Sequence, residues 1–121
     1  MKRKKEETVA TVDFHLWTCL GDGKAVQSAD IVRFGPNIFR ASVTLDENTL
    51  YTIIPNGKLW RHVLEKGHIL CVFCDGVCVS EQEYHGKTNS YFYPPNSGVT
   101  DLTLVISTSL ENATMELTEK N

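Results

Sequence analysis

A chain of 121 residues is enough for one domain and short for two, since domains typically run ~100 to 150 residues. Hydrophobic residues make up 41% and charged residues 22%, which excludes a wholly disordered, collagen-like or coiled-coil chain. The net charge is −3, but four of the 12 basic residues are Lys2, Arg3, Lys4 and Lys5, so the remainder sets eight basic residues against 15 acidic ones. An acidic body repels phosphate backbones, which confines any nucleic-acid role to the basic tail.

The first seven residues read as a disordered basic tail, and residues 8–121 as a single β domain. Residues 8–19 alternate Ala10, Val12, Phe14, Leu16 against Val9, Thr11, Asp13, His15, Trp17, the period-two pattern of a half-buried strand. Gly21-Asp22-Gly23 breaks it, and residues 27–30 could form a brief turn. In residues 38–45 the apolar face is Phe39, Ala41, Val43, Leu45, and Asp46-Glu47-Asn48 supplies a turn. Residues 50–54 form a short strand, and Pro55-Asn56-Gly57 reads as a hairpin turn because Asn-Gly accepts positive φ. Residues 58–64 read as a strand, and residues 59–66 equally well as a short helix capped by Gly67.

Residues 69–79 are densely β-branched and aromatic, residues 83–93 are polar with an aromatic end, and 94–98 are a Pro/Gly loop. Residues 100–108 place Leu102, Leu104 and Ile106 on one face. Residues 113–118 read as a final edge strand through Met115 and Leu117. The fold class expected is therefore all-β: an antiparallel sandwich or jelly roll of about eight strands.

Four cysteines, Cys19, Cys71, Cys74 and Cys78, raise the question of disulfides or zinc. With no export signal visible, reduced buried thiols are the expected state. Cys71-x-x-Cys74, with Cys78 and His68 nearby, has zinc-ligand residue types. However, Val72 and Phe73 are strand formers, and on a strand positions 71 and 74 face opposite sides. If Asp75-Gly76 makes a two-residue hairpin, Phe73 opposes Cys78, and Cys71 and Cys78 share a face from which Cys74 is excluded. No metal or cofactor is expected.

The chain shows no G-x-S-x-G, no G-x-x-x-x-G-K and no H-E-x-x-H. His15, His62, His68 and His85 could join a cysteine only if the fold assembled them, so no catalytic residue is assigned. Two aromatic groups stand out: Trp60 and Arg61 after the hairpin turn, and Tyr91 and Tyr93 around Phe92. Tyr, Trp and Arg anchor protein interfaces because they bury much area with few torsions to freeze. Lys2, Arg3, Lys4 and Lys5 match a short nuclear-import address.

The expected function is a non-enzymatic protein-binding or assembly module that associates with itself as a homo-oligomer. Adaptors, inhibitors, receptor-binding heads and viral or phage structural proteins use such folds, an analogy of fold alone. An OB-like binder of single-stranded nucleic acid is the second reading and a small hydrolase assembled from distant residues the third. No apolar run reaches the ~18 residues of a membrane span, so an intracellular location, cytoplasmic or nuclear, is expected.

Overall fold

The computed structural model describes residues 12–55, 68–83 and 90–120. The tail with Lys2, Arg3, Lys4 and Lys5, the Asn56-Gly57 turn, Trp60 and Arg61 lie outside them. The described residues form eight strands: β1 Val12–Cys19, β2 Ala25–Arg33, β3 Ile38–Leu45, β4 Tyr51–Pro55, β5 Ile69–Cys74, β6 Val77–Glu83, β7 Ser90–Phe92 and β8 Gly98–Ser107. A helix, α1 Leu110–Lys120, follows. The all-β antiparallel fold expected from the period-two pattern is the one observed.

All eight strands belong to one antiparallel sheet in the order β6-β5-β8-β3-β2-β1-β4-β7. Within it β4 returns beside β1 and gives β4-β1-β2-β3, the order of a Greek key, while β8 returns beside β5 in the second half. The end strands β6 and β7 approach each other, so the sheet is nearly closed. Register shifts between Val12 and Phe14, between Leu16 and Trp17, and between Val72 and Phe73 supply the extra bend that closure requires.

Alternation along the strands creates two cores. The inner one contains Phe14, Leu16, Ile31, Phe39, Ile53, Leu70, Val72, Cys74, Phe92, Leu102, Leu104 and Ile106, with Leu45 and Tyr51. Phe14 meets Phe39 edge to face at 4.9 Å, and Tyr51 stacks on Phe92 at 5.9 Å. The inward positions Phe14 and Leu16 read on β1, and the faces read from β3 and β8, are those observed. A smaller outer core lies beneath α1, where Ile38, Cys71, Phe73, Val105 and Ala113 pack together with Leu110 and Leu117.

Two expectations are corrected. Residues 113–118 are helix, not an edge strand: Leu110, Ala113 and Leu117 recur at helical spacing and face the outer core. Ser109 caps the helix, its hydroxyl accepting from the Asn112 N–H at 3.1 Å, and Glu111 in the first turn complements the helix dipole. Residues 27–30 belong to β2 rather than a turn. Six of the nine β2 residues are exposed or only partly covered before Ile31, so this strand lacks an apolar stripe and is held by its neighbours' ladders.

The β5–β6 hairpin is tight, with Asp75 at φ 50° and Gly76 at φ 85°, the two positive values a type I′ turn needs. The Asp75 N–H donates to Asp101 O at 2.9 Å, and Asp75 Oδ1 accepts from the Asp101 N–H at 2.9 Å, tying the turn to β8. A Cβ at Gly76 meets no atom within 4 Å, so the cost of Gly76→Ala is conformational alone. The expected result is a loss of ~1 to 2 kcal/mol in urea unfolding; an unchanged midpoint would show that the turn does not need the glycine.

Candidate binding surface

The register places four connections at one end of the barrel, here called the rim: residues 20–24, 46–50, 75–76 and 93–97. Strand β3 ends there at Leu45 opposite Gly98, β1 ends at Cys19 opposite Ala25, and Tyr51 pairs Phe92.

Hydrogen bonds stitch three of these loops together, while the 75–76 turn is tied to β8. The Leu20 N–H donates to Lys24 O at 2.7 Å and the Cys19 N–H to Leu50 O at 2.9 Å. The Asp46 N–H donates to the Tyr51 hydroxyl at 2.9 Å, and the Glu47 N–H to Ser97 Oγ at 2.9 Å. Asp22 and Asp46 accept from the backbone two residues on, so these acidic side chains build the turns they occupy.

On this frame stand apolar side chains that the core does not use. Six of the eight large hydrophobic residues exposed among the described residues are at the rim or in the strand ends that reach it: Leu20, Val26, Val77, Tyr91, Tyr93 and Val99. Tyr93 is 58% exposed and Val99 75%. A shallow depression of about 330 Å³ lies between Tyr93, Leu20, Cys19, Thr49 and Leu50. Singly exposed apolar residues are ordinary, whereas Leu20 and Tyr93, which border the same depression, form a joint apolar contact surface.

The structure thus places Tyr91 and Tyr93 on the outside, with Phe92 between them in the inner core. Leu20, Val26, Val77 and Val99 were not singled out from sequence, because in a strand pattern they look like ordinary apolar positions. The signal available for Leu20 was its place directly before Gly21-Asp22-Gly23, which puts it in the turn.

The cysteines fall as their alternation predicts. Phe73 pairs Cys78; Cys71 and Cys78 pack in the outer core and Cys74 in the inner one. Burial pushes the Cys71 thiol up to about 12, with Cys78 and Glu81 adding to the effect. Burial likewise raises Cys74 to about 11, with Asp75 adding to it. Both are poor thiolates at neutral pH, which is the wrong state for a nucleophile or a metal ligand.

Of the histidines, His15 lies 3.0 Å from Asp30, which also accepts from Gln27 at 3.1 Å, and His68 lines a depression at the opposite end beside Asn112 and Glu116. The structure does not bring these two histidines together. His62 and His85 lie outside the described residues.

No family model, curated protein or solved structure matches the chain. What defines the molecule is its own geometry: a small, nearly closed antiparallel barrel with a stitched, partly apolar rim. No described helix is long and apolar enough to cross a membrane.

Proposed function

We propose that this chain is a non-enzymatic protein-binding module that uses its rim for contact, with a second copy of itself as the first partner. The observation that carries this reading is the placing of exposed Leu20 and Tyr93 around one depression in hydrogen-bonded loops. A preorganised surface loses little conformational entropy on binding, so its buried apolar area converts more fully into affinity. The Tyr93 ring is the natural anchor, since a tyrosine buries a large face and keeps a polar tip.

Sedimentation of the purified protein across concentration tests the reading. The expected result is a concentration-dependent oligomer that Leu20→Ser and Tyr93→Ser each weaken by ~1 to 3 kcal/mol, with the thermal midpoint unchanged when measured at a concentration where the parent is monomeric. Deleting residues 1–5 should leave association unchanged. A monomer at every concentration, together with oligonucleotide binding that disappears with those residues and weakens steeply with salt, would overturn it in favour of the nucleic-acid reading.

A further inference from the structure

The outer core differs from the inner one in how it is held. The inner core is enclosed by the sheet, most of whose strands carry ladders on both sides. The outer core has one lid, α1, which contributes Leu110, Ala113 and Leu117 over Ile38, Cys71, Phe73 and Val105.

The polar contacts of α1 among its described side chains, residues 110–118, stay within its own segment. Ser109 Oγ accepts from the Asn112 N–H, Asn112 Nδ2 donates to Thr108 Oγ1 at 2.7 Å, Thr114 Oγ1 donates to Leu110 O at 2.9 Å, and Thr118 Oγ1 donates to Thr114 O at 3.0 Å. Among the described residues no hydrogen bond or ion pair of the helix reaches a strand. The cap and first turn are therefore self-contained, and lifting the helix breaks no strand ladder. Met115, one turn-face away from Ala113, is exposed, so the apolar contact is one narrow stripe.

We infer that α1 is a latch: it opens as a unit from a barrel that stays folded, and in opening uncovers Cys71 and the apolar groove of Ile38, Phe73 and Val105, whose resident occupant is the helix itself. Segments held by few apolar contacts open at lower free energy than the global core, in contiguous cooperative units. The inference rests on the outer core and not on the exposed rim residues, although Leu117 of α1 borders the 75–76 turn.

The two buried thiols allow a direct test, because alternation puts Cys71 under the latch and Cys74 inside the barrel. In full-length protein carrying Cys19→Ser and Cys78→Ser, alkylation by N-ethylmaleimide is followed by mass spectrometry of the peptides under native conditions. The expected result is labelling of Cys71 at least tenfold faster than of Cys74. Ala113→Asp, which places a carboxylate in the latch contact, should speed Cys71 a further tenfold or more and leave Cys74 unchanged. Leu117→Ala should do the same to a smaller degree, and serves where Ala113→Asp fails to fold. Equal rates at the two thiols, or equal acceleration of both by Leu117→Ala, would show that helix and barrel open together and would overturn the latch.

Discussion

Phe39→Ala is expected to remove ~3 to 5 kcal/mol of stability, a large share of the ~5 to 15 kcal/mol that holds a domain of this size. Phe39 is fully buried at the middle of the sheet order, on β3 between β8 and β2. Its ring takes the edge-on contact with Phe14 at 4.9 Å and lies under the Arg33 guanidinium at 5.0 Å. Truncation opens a cavity that the closed sheet cannot collapse, because the lining strands are fixed by ladders on both sides. It also removes the aromatic pair, itself worth ~0.5 to 1.5 kcal/mol. Phe34, 49% exposed with Arg40 over its ring at 4.7 Å, is the control: Phe34→Ala should cost under ~1 kcal/mol. Urea unfolding measures both. A Phe39→Ala protein within ~1 kcal/mol of the parent would mean that the inner core is not the packed interior described here.

The contrast between these two phenylalanines shows where sequence is informative. Phe39 alternates with Ala41, Val43 and Leu45, and that period assigns it inward without any tertiary knowledge. The same pattern made β1 and β8 legible and, through Asp75-Gly76, fixed the pairing of Phe73 with Cys78. It failed where one residue set satisfies two periods. Ala113, Met115 and Leu117 alternate like a strand, yet Leu110, Ala113 and Leu117 also form a helical stripe. The Ser109 cap and the outer face of β5 and β8 decided between them. Strand β2 was missed for the opposite reason: with Val26 exposed and Ile31 its one fully buried apolar side chain, it has no stripe to read, and its place comes from pairing with β1.

The rim was half legible. Tyr91 and Tyr93 stood out by residue type, and alternation about Phe92 placed them outside. Nothing local says that the turn at residues 20–24 lies beside residues 46–50 and 93–97; that neighbourhood arises because β4 returns next to β1 and β7 next to β4. Sequence spacing carries the strands, while the Greek-key return carries the surface. Contacts between loops far apart in the chain, such as Glu47 with Ser97, are a property of topology.

Alkaline pH should destabilise this protein through its interior thiols. Cys71 and Cys74 have an ordinary value of 9.0 that burial raises to about 12 and about 11. Between those limits the fold keeps protons that the unfolded chain has released, so the unfolded state binds fewer protons and stability falls as pH rises. The contribution is intact below pH 9.0, and the loss continues to about pH 11 for Cys74 and about pH 12 for Cys71. The full shifts correspond to ~4 kcal/mol for Cys71 and ~3 kcal/mol for Cys74. The two differ in what must open. Cys74 ionises only when the barrel does, whereas Cys71 ionises once α1 lifts, so the loss through Cys71 is capped by the free energy of opening the latch. Urea unfolding at intervals from pH 8 to 10.5, compared between the parent and each cysteine variant, isolates these contributions. Above pH 9.0, Cys74→Ala should flatten the decline by about 1 kcal/mol per pH unit; Cys71→Ala should flatten it by less once the latch opens below the global transition. A Cys74→Ala protein whose stability falls with the same slope as the parent would show that the Cys74 thiol is not held protonated in the barrel.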